Sequence, residues 1–365
     1  MAANRFVRNF VLLPMSKLYG FGMSVRDLMF RWKILKQRKF DVPVICVGNI
    51  CAGGTGKTPH TEYIIKLLKH NYHIGMVSRG YKRTTKGFVL ATNRSTPLDI
   101  GDEPYQVYQK FGREVSVAVC EDRCEGIEKL LEIDPKINLI VLDDAFQHRY
   151  VQPTISVVLT EFNKPVYLDK LLPLGRLRES PKAIYRADIV VVTKCPDRLN
   201  PIEYRILKNN LDLYPYQHLF FSRFDYKGLR PVFPESVIEV PDLNWYSNQD
   251  TLLLVSGVAN PRPLVSRLKT YGAKVRVKIF PDHHNFTRKD LDVIVARFNE
   301  IQARNKIIIT TEKDAVRMAN NPYFPEELKS KIFYQPIEVE FDAYTESNFD
   351  YVLKKMIVER TNAQS

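Results

Sequence analysis

The sequence predicts an α/β protein: a P-loop NTPase-like, mostly parallel sheet with helices on both faces, plus a second, smaller α/β domain. Three observations predict it. Apolar strands alternate with helical stretches from residue 44 to 194, and a second such series runs from 252 to 311. The apolar run Val44-Ile45-Cys46-Val47-Gly48-Asn49 breaks into Cys51-Ala52-Gly53-Gly54-Thr55-Gly56-Lys57-Thr58, where a helical stretch opens. A Pro-rich irregular stretch at 231–248 separates the two series.

The glycine-rich turn has the layout of a phosphate-binding loop. Glycines let backbone N–H groups point inward at a triphosphate, and the positive end of the following helix adds to them. Lys57 reaches the β- and γ-phosphates in such a loop, and the Thr58 hydroxyl holds Mg²⁺. The strict pattern wants glycine five places before Gly56, where this chain has Cys51, so Gly53 and Gly54 must supply the flexibility. An ordinary strand-to-helix turn is the alternative; Gly-Lys-Thr directly after a strand favours a bound nucleoside triphosphate.

After the loop, 73–78, 115–120, 139–144, 155–160 and 189–194 read as buried strands, with helices at 59–69, 103–111 and 123–133 between them. Near-continuous apolar strands imply a parallel sheet covered on both faces, with ligands at the carboxyl ends of its strands. A strand at 218–225 follows. The second series comprises 252–256, 263–271, 274–280, 289–304 and 307–311, and a helix at 349–359 closes the chain. The expected division is an N-terminal basic amphipathic segment (1–40), a P-loop core domain (41–228), a linker (229–248) and a C-terminal α/β domain (249–365), its last helix packing on the core.

The chain carries 54 basic and 41 acidic residues, a net charge of +13, which directs it toward polyanions or an anionic surface. Five scattered cysteines without a C-x-x-C pair argue against a disulfide framework and for a reducing compartment. No apolar run approaches the ~18 residues that span a bilayer. The basic excess is concentrated at the N-terminus, where Arg5, Arg8, Lys17, Arg26, Arg31, Lys33, Lys36, Arg38 and Lys39 face a single acid, Asp27. Phe6, Val7, Phe10 and Leu18 lie among them, and Val25, Leu28, Met29, Trp32 and Leu35 follow with helical spacing. Two readings stand side by side: a helix lying in a membrane interface, or a helix pair packed on its own domain.

Asp143 and Asp144 end an apolar strand, the position from which a phosphate-loop protein delivers a carboxylate to Mg²⁺; capping acids for the next turn are the alternative. Gly101-Asp102-Glu103-Pro104 puts two acids at a helix start, either as caps or as an acid that orients an attacking hydroxyl and accepts its proton. Pro281-Asp282-His283-His284 follows a strand of the second series. Joint chelation by adjacent histidines is disfavoured, leaving proton transfer by one imidazole or a structural turn. Arg79, Arg176 and Arg178 sit in Gly-Arg loops and offer guanidinium groups to phosphate. Thr310-Thr311-Glu312-Lys313-Asp314 reads as a further charged strand end.

Together, and in order over nearly the whole chain, the phosphate loop, Ser78-Arg79-Gly80-Tyr81, Gly101-Asp102-Glu103-Pro104, Asp143-Asp144 with Gln147-His148, Leu172-Pro173-Leu174-Gly175-Arg176-Leu177-Arg178-Glu179, Phe280-Pro281-Asp282-His283-His284 and Thr311-Glu312-Lys313-Asp314-Ala315 closely resemble the tetraacyldisaccharide 4'-kinases of Gram-negative lipid A biosynthesis. Cys51 in place of the first glycine looks like that family's own variant of the loop. The resemblance implies transfer of the γ-phosphate of ATP, with Mg²⁺, to the 4'-hydroxyl of a tetraacylated glucosamine disaccharide 1-phosphate, giving lipid IV-A. It implies that Cys51, Ala52, Gly53, Gly54, Thr55, Gly56, Lys57 and Thr58 hold the nucleotide. Asp102, partnered by His283, then looks like the hydroxyl-activating base, with Lys57 and Asp144 also catalytic and Thr58, Asp143 and Asp144 on the Mg²⁺ side.

The same resemblance implies a peripheral protein on the cytoplasmic face of the inner membrane, its N-terminal segment on an anionic surface. A monomer without a nucleic-acid partner is expected. Two rivals fare worse. Thr193-Lys194-Cys195-Pro196-Asp197 only faintly echoes a guanine-reading motif of GTPases. A nucleic-acid-binding ATPase would spread its basic residues beside exposed stacking aromatics.

Overall fold

The computed structural model describes residues 7–258, 260–342 and 347–363, with side chains from residue 10 onward. Arg5 and Phe6 of the basic segment, and the side chains of Val7 and Arg8, lie outside the described residues. After a π-helical turn (Val7–Leu12), the principal elements in chain order are α1 (Leu13–Arg31), β1 (Val44–Asn49), α2 (Lys57–Leu68), β2 (Ile74–Ser78), β3 (Val89–Leu90), α3 (Asp102–Phe111), β4 (Val115–Val119), α4 (Arg123–Ile133), β5 (Leu139–Asp143), β6 (Ile155–Glu161), β7 (Ile189–Thr193), α5 (Pro201–Leu211) and β8 (His218–Tyr226). They continue with β9 (Arg230–Pro231), β10 (Thr251–Ser256), α6 (Arg262–Lys269), β11 (Lys274–Ile279), α7 (Arg288–Asn299), β12 (Lys306–Thr311), α8 (Glu312–Ala319), β13 (Ile332–Gln335), β14 (Ile337–Phe341) and α9 (Phe349–Asn362).

The chain divides into two compact units, one of residues 1–94, 107–224 and 339–365, the other of residues 95–106 and 225–338. The first is built on a sheet of strand order β14-β8-β7-β6-β1-β5-β2-β4-β3. From β8 to β4 the pairings are parallel, and β3 runs antiparallel to β4. Every residue of β1, β2, β5 and β7 is buried, the signature of a sheet covered on both faces. β1 therefore lies between β5 and β6, with Val47 opposite Asp143. That register brings the acid-tipped strand beside the strand that feeds the glycine-rich loop. The terminal helix α9 belongs to this unit: Phe349 stacks on Phe341, Asp350 accepts from the Tyr63 hydroxyl, and Arg360 pairs with Asp188.

The helix α1 also packs on the first unit, through a mostly polar face. Ser16 donates to the Leu171 carbonyl, Tyr19 to that of Arg178 and Arg26 to that of Gln147, while Asp27 pairs with Arg149 and Arg186. Phe30 is its one buried large apolar residue, set edge-on to Tyr150. Phe10, Leu13, Leu18, Phe21, Val25, Leu28 and Trp32 are exposed. The helical pattern read through Leu35 stops at Arg31, and Lys33 turns the chain with a left-handed φ of 58°.

The second unit carries a sheet of order β11-β10-β12-β13-β9, parallel except for β9. Its interior strand β10 is wholly buried between two apolar clusters, one around Phe280, Ile294 and Phe298, the other around Leu252, Leu264 and Leu268. Two details differ from the sequence reading. The helix expected to run to 304 ends at Asn299, and the charged strand end at 310–314 begins a helix instead. There Thr311 accepts from the Asp314 N–H as an N-cap and so turns β12 directly into α8.

Candidate functional site

The glycine-rich loop is shaped by its backbone and braced by strand ends. Gly53 has φ +113° and Gly56 φ +93°, and a Cβ added at Gly53 or Gly54 would meet nothing within 4 Å, so the loop faces open space. Gly56 caps α2, and a Cβ there would come within 2.7 Å of the Phe224 ring. Asn49, at the end of β1, donates to the Thr55 hydroxyl at 2.8 Å, and Thr193, at the end of β7, donates to the Thr55 carbonyl at 2.8 Å. Lys194 bridges the Gly54 carbonyl and Glu161. The residues that faintly echoed a guanine-reading motif thus brace the loop. One further brace was missed in the sequence. His60, one turn into α2, contacts the Gly56 carbonyl at 2.7 Å through Nδ1 and the Ser222 hydroxyl at 2.8 Å through Nε2. A carbonyl only accepts, so Nδ1 carries the proton and Nε2 accepts from Ser222. Burial holds His60 down at about 4.

Cys51 does not occupy a glycine-type conformation. It is buried and forms an antiparallel bridge with Leu177, flanked by hydrogen bonds from Ala52 N–H to the Arg176 carbonyl and from Arg178 N–H to the Ile50 carbonyl. Extended backbone there requires no glycine, and burial pushes the thiol up to about 11.

The two acids at the end of β5 differ in setting. Asp143 is fully buried and accepts from Thr61 of α2 at 2.8 Å. Asp144 has a left-handed φ of 49° and lies 3.6 Å from Lys57 Nζ and 3.7 Å from Arg178. Its Oδ1 is buried without a hydrogen-bond partner among the described residues. Thr58 is buried in the first turn of α2. Of the three arginines, Arg178 reaches Asp144, Arg176 is held by Asp169 at 2.9 Å, and Arg79 is exposed.

A separate cluster forms within the second unit. Asp102, in the first turn of α3, lies 3.2 Å from His283 Nδ1 and accepts from Arg317 Nε at 3.1 Å and also from its Nη2. Arg317 is itself aligned by the fully buried Asp314, at 3.0 Å. Lys313 Nζ sits 3.1 Å from His283 Nε2 and 2.9 Å from Glu103. Burial alone would raise the Asp102 carboxyl; hydrogen bonds from His283 and Arg317, with the Arg317 and Lys313 charges, outweigh it and bring the group to about 2. The neighbouring histidine faces elsewhere: His284 pairs with Asp290 at 2.9 Å and stacks on Phe280. Arg317 was missed in the sequence, although Thr311-Glu312-Lys313-Asp314 is a helix-start signature that puts residues 313 and 317 on one face.

Asp122, Cys124 and His148 also gather potential ligand atoms. Asp122 is committed as the N-cap of α4, and the buried Arg123 beside the trio helps hold His148 down at about 4, after burial itself. Cations are disfavoured at a helix N-terminus next to a guanidinium.

Comparison with known proteins gives a uniform answer. A family model described as tetraacyldisaccharide-1-P 4'-kinase matches residues 8–357. The tetraacyldisaccharide 4'-kinase of Bacteroides thetaiotaomicron is 47% identical over 361 residues, 97% of this chain and 94% of that protein. That of Parabacteroides distasonis is 46% identical over 354 residues, 96% of this chain and 95% of its own. The crystal structure of an "apo" form of LpxK from Aquifex aeolicus in complex with ATP matches the fold with a TM-score of 0.72 and 27% identity, covering 97% of this chain and 99% of that one. The chain belongs to the tetraacyldisaccharide-1-P 4'-kinase family.

Proposed function

We propose that the protein transfers the γ-phosphate of ATP to the 4'-hydroxyl of a tetraacylated glucosamine disaccharide 1-phosphate, forming lipid IV-A. The observation that carries this reading is the loop: open space over Gly53 and Gly54 and Lys57 at the head of α2, in a chain 47% identical over 97% of its length to a kinase of that name. Phosphoryl transfer asks a protein mainly to position its reactants and neutralise charge. Backbone N–H groups of Gly53, Gly54 and Gly56 and the α2 terminus cradle the phosphates, and Lys57 balances the charge on the β- and γ-phosphates.

The donor set at Thr58, Asp143 and Asp144 suits Mg²⁺: hard oxygens, one of them, Asp144 Oδ1, buried without a hydrogen bond among the described residues. Bound there, Mg²⁺ supplies charge neutralisation at the β- and γ-phosphates. Asp102 and His283 work as a dyad on the acceptor. Where the resemblance makes Asp102 the base, we assign the hydroxyl proton to the imidazole. Burial is outweighed by hydrogen bonds from His283 and Arg317, which keep Asp102 ionised down to about 2, so the carboxylate stabilises the imidazolium instead. The exposed apolar stripe of α1, with Lys17, Arg31 and Lys33, supports attachment to an anionic membrane surface at the cytoplasmic face of the inner membrane. No helix among the described residues is long and apolar enough to cross a membrane. The protein acts as a monomer and needs no nucleic acid.

The test is direct. Purified protein incubated with ATP, Mg²⁺ and the disaccharide lipid converts the lipid to a product heavier by one phosphate, read by mass spectrometry. An unchanged lipid mass overturns the reading.

A further inference from the structure

We infer that Lys313 is a positioning residue for the proton acceptor: it holds His283 Nε2 as a hydrogen-bond acceptor, and passes to Glu103 as the acceptor hydroxyl arrives. The inference rests on the Asp102–His283 dyad proposed above.

The contacts around the imidazole determine its protonation. An ammonium carries three N–H donors and no lone pair, so the 3.1 Å approach of Lys313 Nζ to His283 Nε2 is attractive only if Nε2 accepts. The single ring proton of a neutral imidazole then sits on Nδ1 and is donated to Asp102 at 3.2 Å, because Arg317 Nη2, also donor-only and 3.3 Å from Nδ1, gives its N–H to the same Asp102 oxygen. An imidazolium would set an N–H against the ammonium. Lys313 thus fixes the tautomer that proton abstraction needs, while occupying the atom that abstracts.

The same ammonium has a second place to go. Glu103 Oε1 lies 2.9 Å from Nζ, so Lys313 keeps a charged partner when a hydroxyl takes over Nε2. The backbone is set for the arrangement. His283 has a left-handed φ of 58°, held by a hydrogen bond from its N–H to the Gly257 carbonyl. Thr311 caps α8 so that Lys313 and Arg317 share one face toward the ring.

Every charged group around His283 enters the balance. Asp102 and Asp282, the latter 4.0 Å from Nε2, favour the imidazolium. Lys313 opposes it, as does Arg317, whose Nη2 lies 3.3 Å from Nδ1. Glu103 pairs with Lys313 and Asp314 with Arg317, while His284 is turned to Asp290. When the hydroxyl displaces Lys313, its O–H bond breaks with the proton going to Nε2. The oxygen forms the new bond to the γ-phosphorus, and the bond to ADP breaks with its electron pair on the β-phosphate oxygen.

The experiment measures kcat and KM for ATP for the full chain with saturating Mg²⁺ and disaccharide lipid. Lys313→Met keeps a long side chain but offers no donor to Nε2, so kcat falls about tenfold with KM for ATP unchanged. Lys313→Arg, again a donor-only cation, restores turnover. Glu103→Gln, lacking the charge that receives the ammonium, loses about tenfold in kcat. Lys313→Met at full turnover overturns the inference, as does Glu103→Gln at full turnover. His283→Gln separates the two levels. If it turns over like wild type, the dyad itself fails; if it is inactive while Lys313→Met keeps full turnover, only the role of Lys313 fails. A thermal melt of each variant reports that the whole chain is folded.

Discussion

The phosphate loop of the first unit and the charged cluster of the second recognise by opposite means. The loop is contiguous, made of backbone, and open: Gly53 and Gly56 take positive φ angles, and its glycines present N–H groups rather than side chains. The cluster draws residues 102–103, 283 and 313–317 together and is made of side chains that already satisfy one another. Where the ligand brings the charge, the protein supplies dipoles; where the protein must move a proton, it balances acids against bases in advance.

The largest expected effects separate the two sites. Lys57→Ala removes the loop's mobile charge and cuts turnover at least ~100-fold, with weaker ATP binding. Asp102→Asn keeps the shape but not the charge that stabilises the imidazolium, so kcat falls ~100-fold while ATP affinity holds. Equal loss of ATP affinity in both variants would break the division of labour. Steady-state kinetics with a nucleotide titration decide it.

That contrast also explains what the sequence made legible. A glycine-rich turn between an unbroken apolar run and a helical stretch is local, so the loop, its strand and its helix could be read directly. Asp143 and Asp144 were readable because a strand end announces itself. Asp102 and His283 are 181 residues apart, and no periodicity joins them; only the resemblance paired them. Arg317 went unread because its helix was taken for a strand end, despite a capping signature. The apolar stripe of α1 was visible in the spacing, yet its docking face rests on Ser16, Tyr19, Arg26 and Asp27, which a hydrophobic pattern does not single out.

A pH titration of stability tests the loop's hidden brace. His60 is buried neutral, with its folded pKa lowered to about 4 by burial from an unfolded value of 6.5. Between those values the unfolded chain binds the extra proton, so this contribution is full above about pH 6.5 and is lost as pH falls toward 4. Asp102, lowered to about 2, adds a loss only below its unfolded value of 3.8. Melting temperature should therefore drop between pH 6.5 and 4, with His148, also lowered to about 4 by burial, contributing over the same window; His60→Gln should reduce that slope, and an unchanged slope removes His60 from the account. Gly56→Ala is expected to cost about 1–2 kcal/mol in urea unfolding, because a left-handed φ strains alanine and the Phe224 ring must yield.

The smallest expected effect bears most sharply on how the loop is built. If a phosphate loop needed glycine at its first position, Cys51→Gly would improve it. The structure argues the reverse. Cys51 is paired in extended backbone with Leu177, its side chain lies in the apolar core, and the left-handed turns fall at Gly53 and Gly56. Glycine there would empty a buried side-chain site and loosen the unfolded chain without relieving any strain. Cys51→Gly should therefore lower stability by about 1–2 kcal/mol and leave kcat and KM for ATP within twofold below the melting transition. A gain in stability or a tighter KM would mean that residue 51 belongs to the phosphate-contacting turn rather than to the strand that anchors it.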